Sequence, residues 1–133
     1  MMDMEALVNS ATTARSNAYA PYSGFAVGAA ILDENGKIHA GCNVENAAYP
    51  QGQCAEATAI GAMIVAGGKC ITAIAIAGPE GGAPCSPCGG CRQRIREFAA
   101  PDTPVILAAG GKVVARYTLA ELLPESFGPE HLG

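Results

Sequence analysis

The sequence holds no tryptophan, two histidines, 15% charged residues and 5% aromatics. Each shortage closes a route. His39 and His131 are the only histidines and neither lies in a motif, so no catalytic histidine is assigned. Scarce aromatics and a formal charge of -4 supply neither stacking platforms nor basic surface, so no nucleic-acid partner is expected. No apolar run reaches the roughly 18 residues of a membrane-crossing helix, so no membrane partner is expected either. The opening Met1-Met2-Asp3-Met4-Glu5 lacks a basic region followed by an apolar stretch, which gives the expectation of a cytoplasmic protein.

What is abundant is apolar: 50% of 133 residues, enough for one core and too few for two. Residues 1–133 are therefore expected to form a single domain. Leu7, Ala11, Ala14 and Ala18 recur at helical spacing, predicting a first helix over 5–18. Ala20 to Gly24 breaks it, the run Phe25–Leu32 reads as a strand, Asp33-Glu34-Asn35-Gly36 as a hairpin turn, and Lys37–Val44 as a second strand. Residues 54–66 are alanine-rich and apolar almost all round, predicting a buried helix closed by Gly67-Gly68. Ile71–Ala77 is a continuous apolar strand. Pro87 suits the first turn of a helix running to Ala99, on which Cys91, Ile95 and Phe98 share a face. Pro104–Ala108 and Lys112–Tyr117 read as strands, and a short helix follows near Leu119–Leu123. Alternating strands and helices predict an α/β fold, layered around a mixed five-stranded sheet.

Six cysteines without a visible export signal point to metal rather than to a disulfide framework. Cys54-Ala55-Glu56 is followed, about thirty residues on, by Pro87-Cys88-Gly89-Gly90-Cys91. Three thiolates make a soft site suited to zinc and leave a fourth tetrahedral position open for water. Both segments fall at predicted helix N-termini, where the dipole favours anionic sulfur. Glu56 lies two residues past a ligand, close enough to reach that water without being bound. Two alternatives stay open. Cys85 could close a structural zinc knot as a fourth thiolate, and Cys88 with Cys91 could form a redox pair. Cys42, Cys70 and Cys85 read otherwise as buried small hydrophobes, Tyr22 and Tyr49 as packing or subunit-contact residues, and Arg92 as a structural or interface contact.

Cys-x-Glu combined with Pro-Cys-x-x-Cys is the recurrent signature of zinc nucleobase deaminases. The chain resembles the small homotetrameric cytidine deaminases from Tyr19 to Leu132. The likeness rests on those motifs and on Tyr19–Ala30, Gly41–Tyr49, Cys88–Gln93, Leu122-Leu123-Pro124 and Phe127-Gly128. It implies a three-layer α/β/α sandwich, one zinc ion per chain on Cys54, Cys88 and Cys91, and Glu56 as the proton carrier. The reaction implied is hydrolysis of cytidine and 2′-deoxycytidine to uridine and 2′-deoxyuridine plus ammonia, in pyrimidine salvage. It further implies that Asn43 and Glu45 hold the ribose 3′-hydroxyl, that Phe25 packs beside the pyrimidine, and that backbone groups around Ala55 and Ser86 bind the base. Phe127 would close the pocket of a neighbouring subunit in a homotetramer.

One departure stands out. Relatives with three cysteine ligands commonly carry arginine directly after the glutamate, and here that residue is Ala57. It keeps open an alternative substrate, a modified cytosine nucleoside such as a blasticidin-type antibiotic or an N4-substituted cytidine. A nucleotide such as deoxycytidylate would need a basic phosphate pocket, and no cluster supplies one.

Overall fold

The computed structural model describes residues 3–133. Met1 and Met2, which head the segment read for an export signal, lie outside the described residues. Helix α1 spans Met4–Arg15 and is capped by Asp3, whose side chain accepts from the Ala6 N–H at 3.0 Å. It stops three residues short of the predicted end, so Ala18 belongs to the following turn. The remaining elements are β1 (Gly28–Asp33), β2 (Ile38–Cys42), α2 (Ala55–Val65), β3 (Ile71–Gly78), α3 (Gly89–Phe98), β4 (Pro104–Ala109), β5 (Lys112–Thr118) and α4 (Leu119–Leu122).

The five strands form one sheet in the order β2-β1-β3-β4-β5, in which only β3 and β4 run parallel. Alternation along β3 sorts its apolar run onto two faces. Ala73, Ala75 and Ala77 join Ala30, Ile106 and Ala108 beneath Leu7, Val8 and Ala11 of α1. Ile74 and Ile76 turn the other way, to Ala59 and Met63 of α2 and Ile95 of α3. The result is the three-layer α/β/α sandwich, one helix on one face and two on the other. Small residues set the α1 spacing: a Cβ on Gly28 would lie 2.0 Å from the Ala11 carbonyl oxygen. Each fully buried isoleucine contributes about 1.5–3 kcal/mol, so Ile74 and Ile76 anchor the α2 and α3 layer, while the alanines on the opposite face let α1 pack close.

Three expectations are corrected. The strand expected from Phe25 begins at Gly28, because most backbone groups of residues 25–27 are taken by the side chains of Ser23, Arg15 and Asn43 rather than by a ladder. Pro87 lies ahead of α3, whose N-cap is Cys88. Helix α2 is not buried all round: Met63 is fully covered, whereas Val65 is 91% exposed on its outer face. Cys70 also departs from the reading, since it is exposed in the turn between α2 and β3, where its N–H is held by Glu34. Among the described residues, no helix is long and apolar enough to cross a membrane.

Candidate active site

Strand register brings the working segments to one end of the sheet. Gly28, at the start of β1, pairs with Cys42 at the end of β2 and with Ala77 near the end of β3. The chain therefore enters β1 from Phe25, leaves β2 toward Asn43 and Glu45, and leaves β3 toward Cys85 and Ser86 at the same rim. Helices α2 and α3 point their N-termini there. Gly41 makes the approach of α2 possible, because a Cβ at that position would sit 2.5 Å from the Ala59 backbone nitrogen.

Cys54 is the N-cap of α2 and Cys88 the N-cap of α3, with Cys91 in the first turn of α3. Their three sulfurs lie within 4.8 Å of one another, and no other such group occurs among the described residues. Zn–S bonds of about 2.3 Å place tetrahedral sulfurs about 3.8 Å apart, so the donor set fits zinc in number, softness and spacing. Cys85 stands outside this group, which disfavours a knot closed by four thiolates. Burial pushes the Cys91 and Cys54 thiols up, whereas the Cys91 backbone N–H holds the Cys88 thiol below its usual value.

Glu56, on the first turn of α2, is 4% exposed and still reaches the wall of a cavity of about 320 Å³. Desolvation raises its pKa, opposed by its own backbone N–H, by Cys91 and by the positive charge of Arg94. Ala57 offers no charge, so Arg94 on α3 is the cation whose field reaches this carboxylate. Phe25, Asn43, Glu45, Ala55, Ser86, Cys54 and Cys88 line the same cavity. Cys91 is buried behind it. Phe127 is not brought in: it lies on the tail, 54% exposed and stacked on His131 at 5.1 Å.

Sequence reasoning missed two supports, Ser23 and Cys85, and read a third, Arg92, correctly as structural. Ser23, read as part of a chain break, lines the cavity and hydrogen-bonds the Glu45 carboxylate. Cys85 forms part of the wall beside Val27. Arg92, expected to be structural, fastens the rim: Nε donates to the Pro87 carbonyl at 2.7 Å, Nη2 to Ser86 Oγ at 3.0 Å and Nη1 to the Leu122 carbonyl at 2.7 Å. Its place one residue after Cys91 was the available signal.

Fold and site together define a class: an α/β/α protein whose three converging cysteines and buried carboxylate suit zinc-assisted hydrolysis. Residues 1–107 match the family model for the cytidine and deoxycytidylate deaminase zinc-binding region. The cytidine deaminase of Sporosarcina psychrophila is 44% identical over 131 residues, covering 98% of this chain and 96% of that protein. That of Mycobacterium tuberculosis H37Rv is 37% identical, covering 98% and 94%. The crystal structure of cytidine deaminase from Burkholderia pseudomallei superposes with a TM-score of 0.86 at 43% identity, covering 95% of this chain and all of that one, 100%. The chain belongs to the cytidine and deoxycytidylate deaminase family.

Proposed function

We propose that this chain is a cytidine deaminase, a single catalytic domain that hydrolyses cytidine and 2′-deoxycytidine to uridine and 2′-deoxyuridine with release of ammonia. The observation that carries the reading is the group of three thiols beside Glu56 at the meeting of two helix N-termini. Cys54, Cys88 and Cys91 would hold one zinc ion per chain, which when bound supplies the Lewis acidity that makes water a nucleophile near neutral pH. Glu56 takes a proton from the attacking water and delivers it to N3 of the cytosine ring as oxygen adds at C4. The same carboxylate then removes the remaining proton from the new C4 hydroxyl and hands it to the amine. The C4 carbonyl forms as the C4–N bond breaks and ammonia leaves, so one group acts as base and afterwards as acid. Phe25 packs against the pyrimidine, backbone groups at Ala55 and Ser86 hold its polar edge, and Asn43 with Glu45 takes the ribose 3′-hydroxyl.

The active assembly is a homotetramer in the cytoplasm, serving pyrimidine salvage, with Phe127 covering a neighbouring subunit's cavity. Its exposure and its absence from its own chain's cavity support that assignment, as does the bare apolar face of α2 at Ile64 and Val65. The direct test is loss of cytidine absorbance by zinc-loaded protein, with free cytosine, deoxycytidylate and an N4-substituted cytidine alongside. Conversion of cytidine with release of one ammonia supports the reading. A fully zinc-loaded, folded protein that leaves cytidine intact overturns it.

A further inference from the structure

Glu45 and Asn43 use most of their hydrogen-bonding capacity within the chain. Oε1 of Glu45 accepts the Tyr22 N–H at 2.9 Å and the Ser23 N–H at 3.1 Å, while Oε2 accepts the Ser23 hydroxyl. An ionised carboxylate has about four acceptor positions, so one remains, on Oε2. Asn43 Oδ1 accepts the Val27 N–H at 2.9 Å and Nδ2 donates to the Phe25 carbonyl at 2.8 Å, which leaves one amide N–H. Ser23, Asn43 and Glu45 all face the cavity that holds Cys54 and Glu56. What they leave for a ligand is one donor, on Asn43 Nδ2, and neutral acceptor positions beside the one charged acceptor, on Glu45 Oε2. A neutral hydroxyl needs both. A phosphate at the same place would meet the carboxylate as a like charge.

Ser23 decides this count. Its hydroxyl occupies the second position on Oε2, and its oxygen accepts the Phe25 N–H at 3.0 Å, so one side chain couples Glu45 to the backbone of Phe25. Without it, Oε2 has two open positions and the carboxylate is held only through Oε1, by the Tyr22 and Ser23 N–H groups. Charge-assisted hydrogen bonds are the strong, geometry-fixing ones, so this tether orients Glu45 more firmly than packing alone. We propose that Ser23 is a positioning residue that fixes Glu45, so that the Asn43–Glu45 pair reads a single neutral hydroxyl of the substrate. It rests on the function proposed above, under which that group is the sugar 3′-hydroxyl.

The test compares Ser23→Ala, Ser23→Thr and the unaltered enzyme, zinc-loaded, on cytidine and on 3′-deoxycytidine. Ser23→Ala is expected to raise KM for cytidine about tenfold, with kcat changed less than about threefold, and to leave 3′-deoxycytidine unaffected. Ser23→Thr, which keeps the hydroxyl, restores the cytidine KM. Equal losses on both substrates would make Ser23 a purely structural residue and overturn the proposal, as would an unchanged cytidine KM. Because 3′-deoxycytidine reports the rest of the site, a misfolded variant shows as a loss on both substrates and a drop in melting temperature. If the unaltered enzyme fails on cytidine itself, the parent reading has failed, and that result is distinct from either outcome at Ser23.

Discussion

Glu56 and Glu45 line the same cavity in opposite surroundings. Glu56 sits on a helix within the apolar layer, where burial disfavours its charge and raises its pKa. Glu45 sits on an exposed segment, where the Ser23 hydroxyl and then the Ser23 and Tyr22 N–H groups favour its charge and lower its pKa. Paired carboxyls driven apart in this way divide their roles. The raised one is able to take up and return a proton. The lowered one keeps its charge and serves as a fixed acceptor. The supports differ as well. The Glu56 end is built from two helix N-termini packed on the sheet, whereas the Glu45 end is held by side-chain bonds to the backbone of residues 22–27.

The comparison can be broken first at its helical end. Cys88→Ala should remove zinc and activity together and lower stability, because the ion joins the starts of α2 and α3. Metal analysis and a melting curve check this; native thiol counting of the unaltered protein should find three protected cysteines, and protection of Cys85 as a fourth would end the open-site account. At the other end Asn43→Ala should be milder. It strands the Val27 N–H and the Phe25 carbonyl, a cost of about 1–2 kcal/mol that a denaturant midpoint would register, with zinc content unchanged.

A subtler pair sharpens the contrast through pH, using the metal-free protein. A carboxyl whose folded pKa is raised costs stability once ionised. Glu56→Gln should therefore raise the melting temperature at neutral pH, and the gain should fade as pH falls and Glu56 takes up its proton. Glu45 has the opposite sign. Its contribution is complete above its ordinary value of 4.5 and is lost as pH falls through its lowered folded value. Glu45→Gln should lower the melting temperature at neutral pH, with the difference closing in acid. Shifts of the same sign for both would contradict the division between the two glutamates.

These ends also differed in how far the sequence revealed them. Cys54, Glu56, Cys88 and Cys91 are close-set, chemically specific and located at helix starts that local pattern marks, so the metal end and its layer architecture were readable. A continuous apolar run likewise marked β3, and two short strands around Gly110-Gly111 marked β4 and β5, nearly to the residue. The loop end was harder. Ser23 meets Glu45 across twenty-two positions and Asn43 meets Phe25 across eighteen, and no local rule links residues so far apart. The same gap explains the strand extended too early: Phe25–Val27 is apolar, but side chains of Arg15, Ser23 and Asn43 take most of its backbone hydrogen bonds. Periodicity also could not tell that Val65 stays exposed, since an apolar helix face reads alike whether or not its own chain covers it.

The central claim, that Glu56 carries protons while Glu45 holds substrate, is tested most directly by cytidine kinetics on Glu56→Gln and Glu45→Gln at equal zinc content. The account predicts that Glu56→Gln binds cytidine but loses about 10²–10⁴-fold in kcat, the usual worth of general acid–base catalysis. Glu45→Gln should show its loss mainly as a raised KM. A Glu56→Gln enzyme within about tenfold of the unaltered kcat, or a Glu45→Gln enzyme whose defect lies in kcat alone, would contradict it.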